Sequence, residues 1–417
     1  MRIFKFGGAS VKDADSIKNV YSVLQTVGFQ DVLLVVSAMG KTTNALETVV
    51  AAYCEKSNSL QSSIQEVKKY HNQILIDLFD DENNEVFNAV NLLFADLEYF
   101  LSHNKSPNYN FIYDQIVSFG ELISTTILSH FMNFMKIETN WIDVRLFIKT
   151  DATYRDAEVD WETTQKNISK NIKRKILNIT QGFVGSDENG FTTTLGREGS
   201  DYTAAIFAYC LNAESVTIWK DVPGVMNADP RSFENATLLN QISYREAIEM
   251  AFYGASVIHP KTLQPLQKKE IPLFVKSFFN PTLAGTSVSK GKDLVPEMPC
   301  YILKKNQLLI SLSSIDFSFI MEENISEIFA LLHKFKIKVS LIQNSAISFS
   351  VCVEDKFNNF QDLKLVLSKK FKVAYNEKVS LYTIRHFDEN AAEIVEKDKI
   401  VLLKQISRET MQVVVKE

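Results

Sequence analysis

The run Ile3-Phe4-Lys5-Phe6-Gly7-Gly8-Ala9-Ser10-Val11 opens the chain, and Thr194-Leu195-Gly196-Arg197-Glu198-Gly199-Ser200-Asp201-Tyr202-Thr203-Ala204-Ala205 matches it far downstream. Each closes an apolar, strand-like stretch with glycines and small hydroxyl residues, then passes into a helical pattern. Glycine lets backbone amides approach an anion with no Cβ in the way, and a helix N-terminus adds unpaired N–H donors and partial positive charge. Lys5 and Arg197 bring full positive charges to the two turns. A lysine inside an apolar strand needs a charge partner to offset its desolvation, and a phosphate at the mouth of a sheet is one. The ligand these runs suit is a polyphosphate, and the chemistry is phosphoryl transfer.

Outward from these runs, strand-like stretches fall at residues 2–6, 31–37, 140–144, 176–184, 191–195, 215–220 and 272–276. Ile17, Val20, Tyr21 and Leu24 give the segment after the first strand a helical period. Residues 43–135 read as helix, broken at 104–108 around Pro107, and further helices are expected at 161–174, 201–211, 244–252 and 261–269. The turn at 186–190 predicts a hairpin. Strands alternating with helices imply an α/β fold, an open and mainly parallel sheet sandwiched by helices, with ligands at the C-terminal strand ends. This first domain is expected at 1–286. Residues 287–300, with Gly291, Pro296 and Pro299, read as a linker. Beyond it the order strand-helix-strand-strand occurs twice, predicting two small α+β units at 301–378 and 379–417, the second shortened.

Composition bounds the function. A chain of 417 residues with 46% hydrophobic content exceeds one ordinary core. A net charge of −5 disfavours nucleic-acid and membrane-surface partners. The 4 cysteines form no Cys-x-x-Cys pair, so they read as thiols of a reducing compartment. Residues 1–30 lack the pattern of a signal peptide, and no apolar run approaches the ~20 residues that span a bilayer. The expectation is a cytoplasmic protein.

Several motifs refine the chemistry. Gly40-Lys41-Thr42 looks like the end of a P-loop, but Val35 occupies the place of the required first glycine. The stretch 35–44 instead reads as a second ligand loop, for the acceptor. Glu121, in Ser118-Phe119-Gly120-Glu121-Leu122, is crowded by apolar neighbours, and a buried carboxylate needs a cation. Arg197 suits bidentate binding of a carboxylate. Ser200 or Asp201 reads as the cap of the next helix, and Asp201 alternatively as a partner for Lys5 or a substrate amine. The run Trp219-Lys220-Asp221-Val222-Pro223-Gly224-Val225-Met226-Asn227-Ala228-Asp229-Pro230-Arg231 predicts a rigid polar loop. His259, with no second ligand nearby, reads as structural.

Taken in order, the blocks 5–11, 35–44, 118–121, 182–185, 195–205, 219–231 and 254–262 resemble the aspartate kinases, and the C-terminal units resemble the ACT domains that family carries. The resemblance spans essentially the whole chain. It implies the amino-acid-kinase fold, ferredoxin-like ACT units, and transfer of a phosphoryl group from ATP, with Mg²⁺, to L-aspartate, the first step toward lysine, threonine and methionine. By that resemblance Lys5 stabilises the moving phosphoryl group, with Gly7 and Gly8 lending amides and Asp201 completing the catalytic set. Ser37, Thr43, Glu121, Arg197 and Ser200 resemble the aspartate-binding set, in which Arg197 takes the α-carboxylate and Glu121 the ammonium. Lys5, Gly8, Ser10, Lys220, Asp221, Asp229 and Arg231 resemble the ATP-binding set. A homodimer built through the ACT-like units is also implied.

The chain departs from the family pattern at five places. Glu198 replaces a glycine of Gly-Arg-Gly-Gly-Ser-Asp, Met226 a tyrosine, and Ser256 a lysine for which Lys261 or Lys276 would compensate. In the first ACT-like unit, Met321-Glu322-Glu323-Asn324-Ile325 lacks the usual glycine and Ser340 replaces an effector-binding aspartate. Two other readings stay open at this point: a kinase of the same fold with another acceptor, and a catalytically silent amino-acid-binding regulator.

Overall fold

The structure, a computed structural model, describes every residue except Glu82, Ser256, Val257, Lys292, Phe317 and Glu417. Packing divides the chain into two compact units. Met1–Val225, Leu238–Ile248 and Val257–Leu294 form the first, and Met226–Thr237, Glu249–Ser256 and Val295–Glu417 the second.

The frame of the first unit is a nine-stranded sheet. Its strands in chain order are β1 (Arg2–Phe6), β2 (Val32–Val36), β3 (Thr139–Ile142) and β4 (Leu177–Gln181), followed by a separate hairpin of β5 (Val184–Ser186) and β6 (Thr192–Thr194). β7 (Ser215–Lys220), β8 (Gln241–Ser243), β9 (Leu273–Ser277), β10 (Thr286–Ser289) and β11 (Leu294–Val295) complete the sheet. The spatial order is β11-β8-β10-β9-β7-β1-β2-β4-β3. From β9 across to β3 each neighbouring pair is parallel, while β10 runs antiparallel to β9. The helices are α1 (Ala14–Val27), α2 (Thr42–Cys54), α3 (Leu60–Leu78), α4 (Glu85–His103), α5 (Tyr109–Val117), α6 (Phe119–Phe134), α7 (Trp161–Asn171), α8 (Gly199–Leu211), α9 (Tyr244–Tyr253) and α10 (Pro260–Lys268).

Parallel strands covered on both faces are apolar throughout, and β2, Val-Leu-Leu-Val-Val, is buried at every position. The core gathers Phe4, Phe6, Ile17, Val20, Leu24, Leu34 and Val36, with Trp219 stacked on Phe6 at 6.0 Å. Local signals set the helix starts: Asp13 accepts from the Ser16 N–H at 2.8 Å to cap α1, and Asn108 caps α5.

Two local expectations need correction. The stretch 176–184 is not one strand: β4 ends at Gln181, and β5 starts only after Gly182 and Phe183. A Cβ at Gly182 would lie 2.5 Å from the Ser200 side chain, and Phe183 takes a left-handed φ of 69°, so the ladder breaks there. Residues 287–289 and 294–295, expected to belong to the 287–300 linker, are part of β10 and the whole of β11. The Gly and Pro punctuation is real, but short polar Thr-Ser-Val-Ser segments still pair with β8 and β9.

The second unit is built on a six-stranded antiparallel sheet. β12 (Cys300–Ser314), α11 (Glu322–Lys334), β13 (Lys338–Asn344), β14 (Ser348–Glu354), α12 (Phe360–Leu367), β15 (Phe371–Arg385), α13 (Glu389–Glu396), β16 (Ile400–Ile406) and β17 (Thr410–Lys416) follow in order. The sheet order is β13-β14-β12-β15-β17-β16. The two α+β halves are not consecutive along the chain. The second half of β12 pairs with the start of β15 in one half, and residues 300–304 of β12 pair with 381–385 of β15 in the other. The C-terminal half therefore begins with a strand laid down at Cys300, ahead of the half inserted within it, and residues 379–417 alone do not make it up.

Candidate active site

The C-terminal ends of β1, β2 and β4 meet the N-terminal turns of α6 and α8. Lys5, next to last in β1, lies in register with Val35 of β2 and Ile218 of β7. Its Nζ sits 2.7 Å from Asp201 Oδ1, with the two side chains 12% and 6% exposed. Asp201 stands in the first turn of α8, where the helix dipole favours a carboxylate. Gly8 is forced by contact: a Cβ there would lie 2.9 Å from the carbonyl oxygens of both Ala38 and Gly40. The Gly40 N–H donates to the Gly8 carbonyl at 3.0 Å, and the Ser37 N–H to that of Phe6 at 3.1 Å. The two loops after β1 and β2 are thereby stitched together, and Gly7 packs against the Lys5 ammonium.

Glu121 is buried on α6. Its Oε1 accepts from the Ala38 N–H at 3.1 Å, while Oε2 has no partner. Ser124, one turn on, donates to the Ser37 carbonyl at 2.8 Å and holds α6 against the β2 loop. Burial pushes the Glu121 carboxyl up to about 8, against the opposing pull of the Ala38 N–H and the Lys5 charge. The acid is neutral at pH 7, with one oxygen open to a cation.

Arg197 is exposed on the turn between β6 and α8. Gly196 has φ +78° and packs directly on Asp156, and Asp156 also pairs with Lys261. Glu198 holds φ +55°, a left-handed conformation that costs a non-glycine residue roughly 1 kcal/mol. Its carboxylate accepts the His259 N–H at 2.9 Å. Glu198 is the N-cap residue of α8, and Ser200 and Asp201 lie inside the first turn, which corrects the capping role expected for them. Asp201 is instead the partner of Lys5. His259 caps α10 by accepting the Lys261 N–H at 3.3 Å, in keeping with a structural role.

The remaining expected residues divide. Ser37, Gly7, Gly8, Lys5, Glu121, Ser200 and Asp201 converge on the strand ends, and Thr43 lies in the first turn of α2, after the β2 loop. Ser10 is buried in the short turn after Gly8. Lys220 ends β7 next to β1, and Asp221 is exposed just beyond it. Asp229 and Arg231 lie in the second unit, where Arg231 donates to Asp229 at 2.7 and 3.0 Å. Lys276 lies on β9 with its ammonium 5.7 Å from the Phe274 ring. Ser256 lies outside the described residues.

One buried acid escaped the motif reading. Asp114, on α5, accepts from the Thr194 N–H and hydroxyl, both at 2.8 Å, and from the Arg155 N–H at 3.0 Å. The signal was the one used for Glu121: an acid inside the apolar run Phe111-Ile112-Tyr113-Asp114-Gln115-Ile116-Val117.

A model of the amino acid kinase family matches residues 1–277. The lysine-sensitive aspartokinase 3 of Escherichia coli is 33% identical over 364 residues, covering 84% of this chain and 78% of that protein. Two solved structures of E. coli aspartokinase III, one in complex with lysine and aspartate and one with aspartate and ADP, superpose with TM-scores of 0.84 and 0.81. Both are 28% identical and cover 100% of this chain and 96% of theirs. The chain spans about a third (32%) of a bifunctional aspartokinase/homoserine dehydrogenase of Arabidopsis thaliana, at 31% identity over 69% of its own length. The chain belongs to the amino acid kinase family and, within it, to the aspartokinases.

Proposed function

We propose that this chain is an aspartate kinase, transferring the γ-phosphoryl group of ATP to the side-chain carboxylate of L-aspartate to give 4-phospho-L-aspartate and ADP. The observation that carries the reading is the floor of the cleft: a lysine paired with a carboxylate, beside a buried, neutral acid with one unpartnered oxygen. The substrate ammonium supplies the cation that Glu121 lacks, and Arg197 takes the α-carboxylate, with Ser37, Thr43 and Ser200 around the bound amino acid. A side-chain oxygen of aspartate then bonds to the γ-phosphorus as the bond to the ADP oxygen breaks, and ADP leaves with the electron pair. The acceptor is already an anion, so no general base is required. Phosphoryl transfer needs positioning and charge neutralisation more than covalent help. Lys5 supplies the charge, while Gly7, Gly8 and the α8 N-terminus offer backbone donors.

Lys5, Gly8 and Ser10, with the loop residues Lys220 and Asp221, are assigned to the nucleotide on the resemblance of their blocks. Among the described residues no cluster of three or more His, Cys, Asp or Glu side chains is disposed to hold a metal. Mg²⁺ would enter with ATP, where it neutralises phosphate charge.

The edge strands of the six-stranded sheet, β13 and β16, expose Ile342, Ile400, Val401 and Ile406. Unpaired edges with apolar side chains favour pairing with another chain, which supports a homodimer through the ACT-like units. No described helix is long and apolar enough to cross a membrane, and the cysteines are free thiols, which supports a cytoplasmic setting.

The test is an ATP-dependent assay that follows ADP formation over a panel of L-aspartate, L-glutamate, carbamate and UMP, with hydroxylamine added to trap the acyl phosphate made from a carboxylate acceptor. Product with aspartate alone is the expected result. Product with another acceptor favours a different kinase of this fold, and none with any acceptor favours a silent regulator.

A further inference from the structure

Among the described residues Arg197 makes no ion pair or side-chain hydrogen bond, so its place is set by the backbone on either side. On the C-terminal side that backbone is the first turn of α8, tied down through Asp201 and Lys5 at 2.7 Å. On the N-terminal side it is Thr194, the last residue of β6. Asp114 grips Thr194 twice, Oδ2 taking its N–H and Oδ1 its hydroxyl, both at 2.8 Å. The same Oδ2 takes the Arg155 N–H at 3.0 Å. Arg155 is left-handed, with φ +73°, and the next residue, Asp156, is the surface on which Gly196 packs. The Ala157 N–H closes the loop by donating to the Thr194 carbonyl at 2.9 Å. One buried carboxylate thus orders both the strand that leads into Gly196-Arg197 and the turn that Gly196 rests on.

We propose that Asp114 is a positioning residue for acceptor binding, holding the Gly196-Arg197 turn where the guanidinium meets the substrate carboxylate. It touches no substrate and acts through Thr194 and Arg155. The inference rests on the assignment of Arg197 as the acceptor clamp. Three donors converge on Asp114; an Asn in its place loses the negative charge they share and satisfies all three only if its oxygen stays on the two N–H groups while the Thr194 hydroxyl reverses to accept from its NH₂. The turn would then lose its fixed geometry while the Lys5 floor kept its own.

The experiment is steady-state kinetics of D114N, T194V and R197A beside wild type, with thermal melts of each. D114N is expected to raise KM for aspartate about tenfold, with kcat held within about threefold and KM for ATP within about twofold, as fits the loss of one charge-assisted contact set. T194V, which removes only the Oδ1 donor, should raise KM for aspartate about threefold and guards against misfolding of D114N. A merely structural Asp114 would lower the melting temperature and the active fraction, with KM unchanged. An unchanged aspartate KM in D114N and T194V beside a raised one in R197A overturns the inference alone. An unchanged KM in R197A overturns the clamp assignment and the inference with it.

Discussion

Lys5 and Arg197 are both cations on glycine-flanked turns, yet the fold treats them differently. Lys5 is 12% exposed, fixed by Asp201 and backed by the neutral acid Glu121. Arg197 is exposed, has no partner among the described residues and is placed by its backbone. A buried charge is locked in before any ligand arrives, because leaving it unpaired would cost several kcal/mol. An exposed one is left free to meet its ligand. On the proposed assignment, the floor is preorganised for the group that moves, and the rim for the molecule that comes and goes. The difference makes distinct kinetic predictions for the two regions.

The largest effect belongs to the floor. K5A is expected to lower kcat by about 10²–10³-fold, the size of losing one preorganised donor to a developing charge, and rapid-quench measurement of the phosphoryl step checks it. A kcat within tenfold of wild type would place the phosphoryl group elsewhere. E121Q comes next, with KM for aspartate raised about 30-fold and the melting profile altered in a defined way. The folded carboxyl titrates near 8, above its ordinary 4.5, so between those values the unfolded state has released a proton that the folded state keeps. Stability of the ligand-free protein therefore falls as pH rises from about 4.5 to about 8, by an amount on the order of a few kcal/mol. E121Q should remove that share of the decline, and chemical denaturation at pH 5, 6, 7 and 8 measures it.

The rim effects are smaller and fall on KM. R197A should raise KM for aspartate about tenfold while kcat changes little; an equal fall in kcat would move Arg197 to the transition state. The smallest effect concerns Glu198 and its φ of +55°. E198G and E198A both remove the bond to His259, but only glycine relieves the left-handed strain. E198G should therefore melt above E198A by a stability difference of about 1 kcal/mol. Equal melts would mean the turn relaxes without strain.

Much of this site was legible in the sequence because its chemistry is punctuated by small residues. The glycines after β1 and before α8 announce close backbone approach, and Lys5 and Glu121 stand out as charges among apolar neighbours. Asp114 carried the same signal and passed unread, since its three partners come from a hairpin and a loop more than forty residues away. The interlaced strands of the second unit were hidden for a different reason. Asn306 and Lys378, at φ +55° each, break the alternation in β12 and β15, so each long strand reads as pieces. The register shifts in β12 between Lys304 and Leu309 mark the same interruption. Glu198 was visible as a departure, but only the fold shows its carboxylate reaching the start of α10.

Calorimetric titration of L-aspartate at pH 7, in two buffers of different ionisation enthalpy, counts the protons exchanged on binding. A neutral Glu121 that ionises to meet the substrate ammonium predicts release of about one proton per aspartate from wild type and none from E121Q. Binding without proton release by wild type would contradict the claim that this buried acid waits for the amino group.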